Sequence, residues 1–230
     1  MVNVLVIGDT HCPAMHPAYP DFLQAIYDYH GCTRVVHIGD LVDWAACSFH
    51  AKEVGMPNIL DEWEDAKAQI KELTDRFPVA NILLGNHDTL PARQLANIGL
   101  PKEMLRSYHE TLALPKGWTV HERWETVVVD GVAYQHGEKG STTGVNSAFL
   151  NASSQWRSCV GGHNHTQFGV VWGANEAGRY FGLQVGVGVD PRSPHMHYSK
   201  KWAKRPVLGC GVVLKGRRAI AEPMFMEDWR

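Results

Sequence analysis

The chain predicts an α/β fold with its functional residues at strand ends, and three observations carry that reading. Short β-branched runs over residues 2–8, 34–39 and 79–85 each close on a glycine, followed in turn by Asp9, Asp40 and Asn86. Stretches with helical periodicity lie between these runs, and the second half of the chain turns mostly extended. In open α/β sheets the loops of several strands converge outside their carboxyl ends, which is where these polar residues would meet.

Taken in order, residues 2–8 read as a buried first strand, too short for a membrane span and without the basic leader of a secretory signal. A helix with a mixed apolar face follows over residues 21–30. The clearest helix covers residues 61–77, where Trp63, Ala66, Ile70, Leu73 and Phe77 recur at three- and four-residue steps. Asp61 with Glu64 resembles a capping box, and Pro78 marks the stop. Residues 119–122 and 125–135, the latter interrupted by Asp130-Gly131, read as hairpin strands. A helix is expected near residues 143–153, with strands over 170–172, 179–189, 207–213 and 218–221. No repeat or low-complexity linker breaks the chain, so residues 1–230 are expected to form one domain.

Hydrophobic residues make up 44% and charged residues 20%, ordinary globular usage that points away from a disordered or membrane-embedded chain. A net charge of −2 lacks the basic footprint of a tight duplex-DNA binder, and two bound divalent ions would turn that charge positive at one place. Lys200, Lys201, Lys204 and Arg205 form a basic cluster read as a solvated loop or edge. Cys12, Cys32, Cys47, Cys159 and Cys210 are odd in number and show no C-x-x-C spacing, which argues against a disulfide framework and for a reducing, cytoplasmic setting.

Five short segments carry the chemistry: Asp9-Thr10-His11, Gly39-Asp40-Leu41-Val42-Asp43, Gly85-Asn86-His87-Asp88, His136-Gly137 and Gly162-His163-Asn164-His165. Carboxylate, carboxamide and imidazole donors without thiolates suit divalent first-row metals, and a pair of such ions activates water against a phosphate ester. His163 and His165 alternate around Asn164, so an extended segment would turn both imidazoles to one side. Gly161 and Gly162 leave little bulk before them and let the backbone approach closely. The set points to a hydrolase.

The ordered series D-x-H, G-D-x-x-D, G-N-H-D, H-G and G-H-x-H resembles the calcineurin-like metallophosphoesterase superfamily. That resemblance implies a four-layer α/β/β/α sandwich of two mixed β-sheets flanked by helices. It assigns one metal to Asp9, His11 and His165 and a second to Asn86, His136 and His163, with Asp40 bridging both. Manganese, iron, zinc and nickel all suit such a mixed nitrogen and oxygen donor set. His87, oriented by Asp43, is implied as the general acid for in-line attack by a metal-bound hydroxide.

Protein serine/threonine phosphatases of this superfamily carry Arg-Gly after the second Asp of G-D-x-x-D, where this chain has Trp44-Ala45. A guanidinium fork for a phosphomonoester dianion is therefore missing. Trp44 reads either as an apolar wall for an aryl or nucleobase leaving group or as a buried core tryptophan. Arg93, His195 and His197 are further candidate substrate contacts, set against a helix surface for Arg93 and structural roles for the two histidines. His37, inside a strand, reads as structural.

The third motif also resembles nuclease subunits of the Mre11 and SbcD type, but only about 65 residues follow His165, which read as completion of the core. The expectation is hydrolysis of small, nucleotide or single-stranded phosphodiesters, with no membrane partner and no tight duplex-DNA binding. A broad phosphomonoesterase and a metal-stabilised protein-binding module are the two alternatives.

Overall fold

Side-chain alternation in the first strand sets up the layers. In the computed structural model, which describes residues 1–49, 58–138, 146–195 and 205–226, β1 (Asn3–Ile7) sends Leu5 and Ile7 into one core and Val4 and Val6 into another. Successive strand side chains point to opposite faces, so a strand apolar at nearly every position is covered on both sides.

β2 (Arg34–His37), β3 (Ala80–Leu83) and β4 (Trp118–His121) continue that sheet in parallel. On the other side of β1, β10 (Gly209–Leu214) and β11 (Arg218–Pro223) add in antiparallel sense. The order is β11-β10-β1-β2-β3-β4 among the described residues. A second mixed sheet, ordered β5-β6-β7-β9-β8, is built from β5 (Val127–Val129), β6 (Val132–Gln135), β7 (Cys159–Gly161), β8 (Phe168–Asn175) and β9 (Gly178–Val185).

The sheets face each other across Val4, Val6, Val36, Val160, Leu183 and Val185. Helices α1 (Tyr19–Tyr29), α2 (Ile59–Arg76), α3 (Leu90–Asn97) and α4 (Tyr108–Leu112) cover the outer face of the first sheet, where Leu23, Ile70, Leu73, Leu90 and Leu112 join Leu5 and Ile82. Helix α5 (Ser147–Gln155) covers the second, with Ala152 and Phe149 against Ala133, Cys159 and Tyr180. Helix, sheet, sheet and helix therefore stack in the four-layer order that the resemblance implies. The fully buried Tyr19 hydroxyl joins two strands at the site end, accepting from the Gly8 N–H at 3.3 Å and donating to the Gly209 carbonyl at 2.8 Å. No described helix is long and apolar enough to cross a membrane.

Several local expectations change. Helix α2 begins at Ile59 and its cap is Asn58, whose side chain accepts from the backbone N–H groups of Leu60 and Asp61 at 2.9 and 3.1 Å. Asp61 lies inside the first turn, so the Asp61–Glu64 capping box is not formed; an exposed acid near a helix start favours the dipole without being the cap. Residues 119–122 and 125–135 do not form one hairpin. The hairpin is β5–β6 around Asp130-Gly131, while β4 pairs with β3 in the other sheet. Local alternation cannot reveal which sheet a strand joins.

Helix α1 starts at Tyr19, two residues early, with Pro20 in its first turn, where a missing N–H costs nothing. Helix α3 supplies the helix surface expected at Arg93, whereas α4, five residues long, is too short for a periodic signal in the sequence. The expected helix near 143–153 is α5, whose Asn146 side chain accepts from the Phe149 N–H at 2.7 Å. Position 143, His197, Lys200, Lys201 and Lys204 lie outside the described residues.

Replacing Asn58 by Ala is expected to lower the unfolding free energy by about 1 kcal/mol, the usual worth of a helix N-cap. Urea denaturation checks this, and a shift no larger than that of an Ala placed on the exposed middle of α2 would count against the cap.

Candidate metal centre

All five motifs end at one place because each follows the carboxyl end of a strand that runs in the same sense. Asp9 and His11 follow β1, Asp40 and Asp43 follow β2, and Asn86 and His87 follow β3; His136 follows β6, and His163 and His165 follow β7. The parallel pairings β1–β2–β3 and β6–β7 bring these ends to one rim of the sandwich.

Two donor groups result, Asp9 with His11 and His165, and Asp40 with His136 and His163, each with ligand atoms within 4.8 Å of one another. Asn86 Oδ1 lies 3.2 Å from His136 Nε2, which places it in the second group. Asp40 faces both, with Oδ2 at 3.7 Å from His11 Nε2 and 3.4 Å from His136 Nε2. The expected ligand set is thus brought together, but not by the expected route. His163 is not in an extended segment: β7 stops at Gly161, and His163 takes φ of 66° in a turn.

Backbone strain is concentrated here. His11, Asp40, Trp44 and His163 take φ of 45°, 49°, 51° and 66°, the left-handed region that costs an L-residue roughly 1–2 kcal/mol. Two glycines make room for the carboxylates. A Cβ on Gly85 would lie 2.1 Å from Asp40 Oδ1, and one on Gly162 would lie 2.3 Å from Asp9 Oδ1.

His87 donates its backbone N–H to Asp40 Oδ1 at 2.8 Å, which holds it beside the cluster. Its Nδ1 lies 2.7 Å from the Asp43 carbonyl oxygen and 3.2 Å from Asp43 Oδ1. The main-chain carbonyl is thus the nearer partner, and the Asp43 carboxylate bonds first to His11 Nδ1, at 2.8 Å. Burial alone would raise the Asp43 pKa, but the neighbouring His11, His195 and His87 imidazoles outweigh it and hold the carboxyl well below the usual range.

The weaker substrate candidates fall elsewhere. Trp44, 5% exposed, belongs to the helix-side core and lines a cavity of about 600 Å³ with Leu84, Trp63 and Tyr108. None of the candidate ligands lines that cavity, so the buried-tryptophan reading is the one the structure favours. Arg93 is on the exposed face of α3, 5.0 Å over the Phe49 ring. His195 is buried and faces Asp43 rather than open solvent, with Nδ1 at 3.5 Å from Asp43 Oδ2. His37 has a structural role: it is fully buried, accepts from the Gly39 N–H at 3.2 Å and contacts the Thr10 hydroxyl at 3.2 Å, and burial pushes its pKa down to about 4.

Sequence reasoning missed residues that hold these loops. Asp88 accepts from the N–H groups of Leu41 and Gly85 at 2.9 and 2.8 Å and from the Tyr108 hydroxyl at 2.6 Å, tying the second motif to the third. Its place in G-N-H-D was the available signal. Gln184 donates to the Gly162 carbonyl at 2.5 Å and accepts from Ser147, which in turn accepts from Asn164 at 2.8 Å, fixing the turn that carries His163 and His165. Nothing in the sequence marked Gln184 or Ser147.

A model of the calcineurin-like phosphoesterase family matches residues 2–184. The chain belongs to that family. No curated protein matches it. Among solved structures, YfcE, a phosphoesterase from E. coli, is 16% identical, with 91% of this chain and 87% of that chain covered and a TM-score of 0.48. Vacuolar protein sorting 29 from Cryptosporidium parvum is 14% identical over 93% and 86%, with a TM-score of 0.46, and Chaetomium thermophilum Vps29 is 11% identical over 92% and 84%, at 0.44.

The donors of this family member fit cations. The His136 Nδ1–H donates to the Ile38 carbonyl at 3.0 Å, which turns the Nε2 lone pair onto Asn86 Oδ1 and Asp40 Oδ2. His11 is locked the same way by Asp43, with its Nε2 lone pair 3.2 Å from His165 Nε2. Asp9 Oδ1 is buried with no hydrogen-bond partner. Lone pairs facing lone pairs need a positive charge between them, and a hydrogen bond at the far nitrogen that fixes the imidazole tautomer is the usual accompaniment of a metal ligand. Protons partly fill that need without a metal: burial opposes charge on His136, but Asp40 and Asp9 prevail and push its pKa up to about 10. Burial and the neighbouring His136 lower the pKa of His163, leaving it a ready neutral donor.

Two outcomes are expected. With its pKa near 10 in the metal-free protein, His136 is protonated at neutral pH, so metal binding must displace that proton and apparent affinity rises as pH rises toward 10. Calorimetry in buffers of different ionisation enthalpy checks this, and zero proton release at pH 7.5 would contradict it. Gly85→Ala, by crowding Asp40, is expected to weaken metal binding roughly 10–100-fold, the range seen when ligand support is disturbed; competition with a chromophoric chelator measures it.

Proposed function

We propose that this chain hydrolyses phosphodiesters, with two divalent cations held by Asp9, His11, Asp40, Asn86, His136, His163 and His165, and with His87 as general acid. The placement of His87 is the observation that most supports this. Its main-chain N–H and its Nδ1 are both occupied by the site's own carboxylate and carbonyl groups, which leaves Nε2 to face the leaving oxygen. A scaffold that only bound a partner would have no use for an imidazole fixed in that way.

Burial disfavours charge on His87, yet Asp40 and Asp43 prevail and push its pKa up to about 10. Cations sharing Asp40 would pull that value back toward neutrality, the range suited to protonating an alkoxide. When bound, the two metals supply an activated water and neutralise charge on the non-bridging phosphate oxygens. Manganese, iron, zinc and nickel are all compatible with the donors.

Two features support a diester, with one negative charge, over a monoester dianion. Trp44 and Ala45 follow Asp43 where phosphatases of the superfamily present an arginine. Arg123, which reaches Thr89 beside Asn86 and His87, is already gripped by both Glu138 oxygens, with Nε to Oε2 at 2.7 Å. Small diesters, nucleotides and single strands are the substrates we favour.

Metal-reconstituted protein should turn over an activated aryl diester faster than the matching monoester. A faster monoester rate would make it a phosphomonoesterase, and no turnover of diesters, monoesters, cyclic nucleotides or single-stranded DNA would leave a binding module. His87→Asn should lower turnover of an alkyl diester, whose poor leaving group needs the proton, by roughly 10²–10⁴ with metal content unchanged, as expected for general acid catalysis.

A further inference from the structure

We propose that His195, backed by Glu62, is a positioning residue that holds the Asp43 carboxylate in the one orientation from which it serves His11 and His87 together. This rests on the reading of His87 as general acid. Asp43 Oδ1 carries two loads, His11 Nδ1 at 2.8 Å and His87 Nδ1 at 3.2 Å, one on a candidate ligand and one on the acid. Both contacts depend on the rotation of a single buried carboxylate about its Cβ–Cγ bond. The opposite oxygen, Oδ2, is what can set that rotation, and its neighbour is His195 Nδ1, 3.5 Å away.

His195 is built into that place. Its imidazole is buried, and Nδ1 forms no hydrogen bond but lies between two carboxylates, Asp43 Oδ2 and Glu62 Oε1, the latter at 3.9 Å. Glu62 is itself buried and immobilised, taking the N–H groups of Ala45 and Ala46 at 2.6 and 2.9 Å, so it also fixes the left-handed turn at Trp44 that directly follows Asp43. Two anions facing each other out of water repel, and the imidazole between them is the group that offsets this. The segment carrying His195 is docked on the first motif: the Gly188 N–H donates to the Asp9 carbonyl and the Asp190 N–H to the Ala14 carbonyl, each at 2.8 Å. His195 therefore reports to the same loop as His11, and through Asp43 to His87.

A positioning role predicts selectivity that a merely structural role does not. An acid matters most when the leaving group is poor, so misorienting His87 should hurt an alkyl diester and spare an activated aryl diester. In metal-loaded protein, His195→Ala is expected to lower kcat roughly tenfold on the alkyl diester, as loss of a side chain that orients a functional group does, and less than about twofold on the aryl diester, with KM and metal content unchanged. His195→Asn, whose amide nitrogen falls near the Nδ1 position, should recover most of the loss. In a His87→Asn background His195→Ala should cost nothing further, because both act through one group.

Equal losses on both esters, an additive double variant, or bound metal that His195→Ala removes would each overturn the proposal. Should His195→Ala not fold, His195→Gln, which keeps bulk but moves the donor away from Nδ1, takes its place with the same expected loss. If His87→Asn itself leaves the alkyl diester rate intact, it is the functional reading that fails. A normal His87→Asn deficit with no effect at His195 removes this inference alone.

Discussion

Lone pairs crowded into a buried space, with too few hydrogens to share among them, form the constraint around which this molecule is organised. Asp40 stands at its centre: burial would raise its pKa, but the His136 and His87 imidazoles hold its carboxyl well below the usual range. Around it, Ile38 and Asp43 take the Nδ1 protons of His136 and His11, so that both Nε2 lone pairs turn inward. Such an arrangement is stable only with positive charge inside it. Protons or divalent cations can supply that charge, and proton displacement couples metal binding to pH.

The fold holds this arrangement by over-determining the backbone nearby. His11, Asp40 and His163 sit in the left-handed region, a local cost borne by the two cores that flank the first sheet. Acidic side chains do part of the structural work. Asp88 and Glu62 are buried carboxylates whose partners include main-chain N–H groups of the segments after β2 and β3, which fixes those segments from the side-chain direction. His195 continues the same device one step outward, from Glu62 to Asp43.

Legibility in the sequence followed the range of the interaction. Residues 2–8 and 34–39 read as buried strands because a doubly covered strand is apolar at nearly every position, and that pattern is local. Helix α2 is legible through Ala66, Ile70 and Leu73, but its start is not, since Asp61 in the first turn has the residue type of a cap and only backbone geometry gives that place to Asn58. The segment at 119–122 reads as a hairpin strand, but its sequence says nothing of its true partner β3, which lies 38 residues earlier in register. The two alternating histidines did reach the cluster, through a strained turn held by Gln184 and Ser147 rather than through strand alternation.

By itself the sequence determined the donor chemistry and its order: which side chains exist, that each sits just after a strand, and hence that their meeting was possible. Those are properties of single segments, and composition and period record them. Tertiary structure alone decided the tautomers of His11 and His136, the strain at Asp40, the clamp at Asp88 and the contact of His195 with Asp43. Each of these depends on distances between atoms brought together from separate segments, such as the 152 residues between Asp43 and His195, and hydrogen bonding acts on distance and angle rather than on order in the chain.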